Sequence, residues 1–375
     1  MLALELFPLN VEALLDVGSR QFVEPVAGDG LAGIAKQAQL MLSFNPGDAR
    51  LYSLLGEAER RRSRQDDARA AFNRSLALTK TELHALHWAL AQTQEAGDSR
   101  SLVDQMDALL RRWPDEIRAS APAIAMSFAA GERYDMLVQR LSVMPPWRST
   151  LISKLAGNQA TAVFAAQLLQ DLAANASAVR PGEISNVVNG LLNAGKFEEA
   201  YRTFILTLSS KQLEVLGNVY DGRFTLPSTG TPFDWQIRDH PGVMFSYPGL
   251  HPGAPGHGMT LEFQQAPVRD LQVRQYLHLP AGNYALSLHA TASAAVLPKG
   301  LLWSVRCVGS NAVFAELPID QGSYPDHELS VDFSVPPNRC PIQMLRLSTK
   351  AVTNSWNDRY HGSLRFDAIK IVTRP

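Results

Sequence analysis

The residues best suited to chemistry stand in one stretch near the end of the chain, Asn354-Ser355-Trp356-Asn357-Asp358-Arg359-Tyr360-His361. Trp356 and Tyr360 offer flat apolar faces, and Asn357, Asp358 and Arg359 offer donors and acceptors. An apolar platform with a few convergent polar groups is the general form of a small-ligand site. A loop between strands is also where function tends to sit. Tyr324, within Gly322-Ser323-Tyr324-Pro325-Asp326-His327, is a second aromatic of this kind. His240, His251 and His257 share a Gly/Pro-rich stretch, but their spacing matches no helical or hairpin metal-ligand pattern. Leu226-Pro227-Ser228-Thr229-Gly230 matches a sortase sorting signal by letter. A long folded segment follows it where a working signal needs an apolar span and a basic tail, so it reads as a turn.

Catalytic signatures are missing from the sequence. It holds no GxSxG, Walker loop, HExxH or Gly-rich dinucleotide turn. Glycoside cleavage needs two carboxylates at a set separation. Asp234, Glu262, Glu316 and Asp332 are available, but sequence places no pair of them across a cleft.

The elements that must position these residues change character near residue 220. Before it, Ser63, Gly97 and Gly131 lie 34 residues apart, and Pro46, Lys80 and Pro114 keep the same spacing. A period of this length marks stacked helix–turn–helix units and resembles the tetratricopeptide repeat. The clearest unit places Tyr52, Leu55, Gly56 and Glu59 on one helix and Ala68, Phe72 and Ser75 on the next. Small Gly56 and Ala68 let the helices approach, and Phe72 fills the groove between them. A last pair carries Val187 and Val188, a turn at Gly195, then Ala200 and Phe204. Between 145 and 181 the register is lost, yet Leu151, Leu155, Val163, Phe164, Leu168 and Leu172 keep helical spacing.

After residue 220, apolar residues alternate. Leu271, Val273, Leu277 and Leu279 share a face, as do Tyr284, Leu286, Leu288 and Ala290. Leu301, Trp303, Val305 and Cys307 form another stripe, and Leu329, Val331, Phe333 and Val335 a fourth. Fifteen of the 23 prolines fall here, as punctuation between strands. The expected architecture is α plus β: a tetratricopeptide-like α-solenoid over 1–217, then an all-β jelly-roll sandwich over 218–375. Trp235 and Trp303 are expected in the sandwich core. A packed contact is expected at the junction near Leu216-Gly217-Asn218.

Net charge is −1 and both halves are balanced, which argues against nucleic acid as a partner. The basic run Arg60-Arg61-Arg62 with Arg64 reads as a helix end that complements the macrodipole. No segment is long and apolar enough for a transmembrane helix, and Met1–Asn10 lacks the regions of a signal peptide. Sequence upstream of residue 1 is left open as the carrier of a signal or anchor. The two cysteines, Cys307 and Cys340, form a disulfide if their strands are neighbours, which implies an oxidising compartment. Otherwise they are two buried free thiols in a cytosolic protein, and that compartment stays open as the alternative. Neither reading gives a zinc site, since CxxC-type spacing is absent.

Several β segments carry a resemblance: Asp221-Gly222-Arg223-Phe224, Phe233-Asp234-Trp235, Leu261-Glu262-Phe263, Leu279-Pro280-Ala281-Gly282-Asn283-Tyr284, Leu302 to Cys307, and Phe366-Asp367-Ala368-Ile369. Together they look like the jelly-roll carbohydrate-binding modules of glycan-active and surface-glycan proteins. The whole chain is similar to bacterial tetratricopeptide proteins with such a C-terminal domain, associated with exopolysaccharide production. The resemblance implies a non-enzymatic protein, periplasmic or otherwise extracytoplasmic. Its sandwich would bind polysaccharide through Trp356, Tyr360, Asn357, Asp358, Arg359 and Tyr324, and its solenoid would dock a protein partner. It also implies a structural calcium held by Asp367 and by an acidic residue after the opening Gly-x-Phe, where this chain has Thr225, a weaker ligand. The alternatives are a pure interaction scaffold, or a polysaccharide hydrolase or lyase.

Overall fold

The computed structural model describes residues 7, 9–23, 30–250, 257–269, 271–337, 339–351 and 357–375. The chain divides into two compact units, Met1–Lys154 and Leu155–Pro375. The change from helix to strand falls later, after a helix ending at Leu213. The expected boundary at 217/218 therefore follows secondary structure, whereas the compact unit takes the last helices together with the sandwich.

The first unit holds α1 (Val11–Val23), α2 (Gly30–Phe44), α3 (Ala49–Arg61), α4 (Gln65–Leu78), α5 (Leu83–Ala96), α6 (Ser99–Arg112), α7 (Glu116–Ser127) and α8 (Gly131–Ser142). Its helix starts are written in the sequence. Asp48 caps α3 by accepting from the Arg50 amide at 3.0 Å, and Asp98 caps α6 through Ser101 at 3.1 Å. The α3–α4 contact is as tight as the small residues imply. A Cβ on Gly56 would fall 2.6 Å from the Phe72 ring, and Phe72 is fully buried. Ser75 donates to the Ala49 carbonyl at 2.8 Å. Its hydroxyl thus satisfies a buried backbone acceptor, so a polar side chain is tolerated in the groove. The arginine run is paired: Arg60 and Arg61 clasp buried Glu57 at 2.7 and 2.6 Å, and Arg62 holds buried Glu59 at 2.9 Å.

In the stretch without register, α9 (Arg148–Ala156) and α10 (Ala162–Ala174) form as expected. Leu151, Leu155, Leu168 and Leu172 are buried, but Val163 is exposed. The second unit continues with α11 (Pro181–Asn193), α12 (Phe197–Leu206) and α13 (Ser210–Leu213). Tyr201 and Phe204 of α12 carry an aromatic seam onto the segments around Tyr220, Phe233 and His278, with ring centroids 4.9–5.7 Å apart. The junction is thus packed.

The strands are β1 (Gln236–Ile237), β2 (Val243–Ser246), β3 (Met259–Pro267), β4 (Val273–Leu277), β5 (Gly282–Val296), β6 (Leu301–Cys307), β7 (Val313–Ile319), β8 (Gly322–Val335), β9 (Gln343–Ser348) and β10 (Arg359–Arg374). They build two five-stranded antiparallel sheets, ordered β1-β4-β9-β6-β7 and β2-β3-β10-β5-β8. One core fills the space between them, including Trp235 and Trp303, whose rings stand 5.9 Å apart. Cys307 and Cys340 are joined in a disulfide that ties the end of β6 to the segment entering β9.

Candidate functional site

The loop that opens β10 does not form the aromatic platform expected of it. Trp356 lies outside the described residues. Tyr360 is a correction: it is fully buried, its ring packs 5.6 Å from Phe263, and its hydroxyl donates to the Gly300 carbonyl at 3.0 Å. Strand alternation turns it into the sandwich, so it anchors the fold and presents no face to a ligand. Asn357 and Arg359 are exposed, and Asp358 pairs with Lys299 at 3.4 Å. Tyr324 is half-buried on β8, edge-on to His327 and bonded to the Asp320 carbonyl at 3.2 Å. Burial, with Asp320 beside it, pushes its phenol up to about 12. Strand β5 separates it from β10, so Tyr324 and the Asn357–Arg359 turn are not brought together.

The calcium positions do not fit a cation. Thr225 turns its hydroxyl to Asp221 at 2.9 Å. Asp367 faces two guanidinium groups, Arg223 at 3.7 Å and Arg365 at 3.8 Å. Positive charge already occupies the surroundings a calcium ion would need. His240 accepts from the Gly242 amide, and His251 lies outside the described residues. Among the described residues, no three His, Cys, Asp or Glu side chains are grouped to hold a metal.

A different site emerges at the edge of the β1-β4-β9-β6-β7 sheet. An open cleft of about 760 Å³ is lined by Asn189 of α11, Thr229, Gln236, Arg238, Gln272 and Arg274, among others. Its rim is the segment with the sortase-like letters, and two buried carboxylates hold that rim. Asp234 accepts from the Thr229 amide and hydroxyl at 2.7 and 2.6 Å, and from the Trp235 amide at 2.6 Å. Asp221 accepts from the Thr225 and Leu226 amides at 2.9 and 2.8 Å. Burial pushes both carboxyl groups above their ordinary range, although these hydrogen bonds pull the other way. Gly222 is required beside them, because a Cβ there would fall 1.9 Å from the Ile369 carbonyl oxygen.

The cleft continues onto the outer face of the sheet. Inward Val273, Leu345, Leu347, Trp303 and Val305 alternate with half-buried Arg274 and Arg346 on the other face, where Ser304 is itself fully buried and accepts from Arg306. The registers set one row straight across five strands: Gln236, Arg274, Arg346, Ser304, Glu316. Arg274 donates to the Gln236 amide oxygen at 2.8 Å, and Arg306 pairs with Glu316 at 3.2 Å. Among the described residues, amide and guanidinium groups supply most of the polar lining of the cleft. Tyr247, the aromatic of the cleft, is itself buried. Sequence reasoning missed this row. Gln272 and Arg274 were visible as the faces opposite Leu271 and Val273, but the β4–β9 pairing joins segments some 70 residues apart and leaves no local signal.

The acids considered for catalysis are dispersed. Asp234 is spent on the Thr229 rim, and Glu316 lies on one sheet. Glu262 and Asp332 lie on the other.

No family model matches the chain, and no curated protein matches it. Among solved structures, a CBM4 module is similar at 11% identity and a TM-score of 0.30, over 42% of this chain and 99% of that one. TmCBM61, in complex with β-1,4-galactotriose, is similar at 12% identity and 0.29, with the same coverage. The CBM22-2 xylan-binding domain of Paenibacillus barcinonensis Xyn10C is similar at 12% and 0.28, again with 42% and 99% covered. Identities and TM-scores this low say nothing of ligand or activity.

Proposed function

We propose that this chain is a non-enzymatic polysaccharide-binding and scaffold protein of bacterial exopolysaccharide assembly or export. The observation that carries the reading is the open polar cleft lined by the amides of Asn189, Gln236 and Gln272 and the guanidinium groups of Arg238 and Arg274. Sugars present hydroxyls in fixed directions, and a cleft lined by such groups can match them. Among the described residues lining the cleft, Asp239 is the exposed carboxylate, and no second one faces it as glycoside cleavage requires. The helical repeats, with left-handed turns at 34-residue spacing, are read as a tetratricopeptide-like scaffold that docks a protein component. The disulfide fits an oxidising, extracytoplasmic compartment. The test is affinity electrophoresis of the full chain through a panel of neutral and acidic bacterial polysaccharides. Retardation by at least one polysaccharide, reversed by free oligosaccharide, is expected. Unretarded migration through every gel would leave the interaction scaffold as the better account.

A further inference from the structure

We infer that helix α11 forms one wall of the polysaccharide cleft, with the Asn189 carboxamide as a ligand contact, so that the site is assembled from helix and sheet together. This inference rests on the polysaccharide reading and adds to it a helical contact and a linkage to the helices. Asn189 is exposed and lines the same cleft as Arg238, Asp239 and Arg274. Its Nδ2 donates to the carbonyl and hydroxyl of Ser185, one turn earlier on α11, at 2.8 and 3.3 Å. The nitrogen is thus occupied by the helix itself, and the oxygen is the atom available to a ligand. A sugar hydroxyl donates one hydrogen bond and accepts others, whereas guanidinium groups only donate. Arg238 and Arg274 can serve as the donors, and the oxygens of Asn189 and Asp239 supply the acceptors that the same hydroxyls need.

Two further observations tie the helices to the cleft. Gly190, next to Asn189, lies against α9: a Cβ there would fall 2.1 Å from the Ala156 carbonyl oxygen, so α11 is held backbone to backbone. On α12, Tyr201 and Phe204 pack on Phe233 with ring centroids 5.1 and 5.7 Å apart. Phe233 adjoins Asp234, whose carboxylate holds the Thr229 amide and hydroxyl on the rim at 2.7 and 2.6 Å. The helices thus supply a wall of the cleft through α11 and brace its rim through α12. A polymer that binds only this docked arrangement stabilises it. By reciprocity, whatever loosens the helices weakens polymer binding by the same factor.

The experiment combines affinity electrophoresis of the full chain through gels of dextran, galactan and polygalacturonate with amide hydrogen exchange in the same polymers. Asn189→Ala is expected to weaken binding about two- to tenfold, the loss of one hydrogen bond. Gln167→Ala, exposed on α10 and outside the cleft lining, should leave it unchanged, and thermal midpoints check folding. In the unsubstituted chain, bound polymer should slow exchange in α11 and α12 at least about twofold, with β8 on the other sheet unchanged. This second arm reads the inference even if the variant does not fold. Equal retardation of a folded Asn189→Ala chain, or unchanged exchange in α11 and α12, overturns the inference and leaves the polysaccharide reading standing. Unretarded migration of the full chain through these gels and the wider panel removes both.

Discussion

Ser63 holds a left-handed backbone, with φ of 63°, at a position where the later turns carry Gly97 at 75° and Gly131 at 70°. The three lie one period apart, so each turn asks for the same backbone and only the first lacks the residue that adopts it freely. A side chain in this region costs about 1–2 kcal/mol. Glycine returns about 0.5–1 kcal/mol of that through the entropy of the unfolded chain. Ser63→Gly is therefore expected to stabilise the first unit by about 0.5–1 kcal/mol, read as a higher urea midpoint. A lower midpoint would mean that the serine side chain matters more than its backbone angle. The 34-residue period was legible because it rests on backbone requirements, which leave residue types behind. Tyr360 was not. An aromatic in a polar loop looks like a binding face until the strand is known to begin at Arg359 and turn Tyr360 inward.

At the scale of elements, the rim of the cleft depends on charges buried where water would serve them better. Asp221 and Asp234 have carboxyl groups pushed above their ordinary value of 3.8, chiefly by burial. The native state therefore binds more protons than the unfolded state once pH exceeds that value. Stability from these two groups is fully present below it and is lost as pH rises through the native values, by up to about 1.4 kcal/mol per pH unit and group. Glu57 of α3 and Asp48 before it have lowered values, so their contribution is lost in the opposite direction, as pH falls. The windows separate around pH 4. Asp234→Asn is expected to flatten the pH dependence of unfolding above that point, followed by urea titration at a series of pH values. An unchanged slope would remove Asp234 from the account. The alternation of each strand was readable from sequence, and with it the inward set. Neighbours in the sheet were not, because β4, β9 and β6 come together through long-range pairing that no local pattern encodes.

At the scale of the molecule, the helical and sandwich grammars do not coincide with the compact units. Tyr201 and Phe204 cover Phe233, Tyr220 and His278, so the last helices complete the apolar surface of the sandwich. A fragment spanning 155–375 is expected to be more stable than one spanning 218–375 by about 3 kcal/mol or more, from the lost aromatic contacts and burial. Equal denaturation midpoints would show that the seam contributes little. The junction read from Leu216-Gly217-Asn218 anticipated a packed contact, but the grouping of α10 to α12 with the sandwich depends on side chains far apart in sequence. The central claim is that polysaccharide lies in the polar cleft, and phenylglyoxal footprinting of the full chain, with and without a polysaccharide that retards it in the gel, tests it most directly. The account predicts slower modification of Arg238 and Arg274 in the presence of the polymer, with Arg365 and Arg374 on the other sheet unchanged. Equal modification of all four, or protection confined to Arg365 and Arg374, would contradict it.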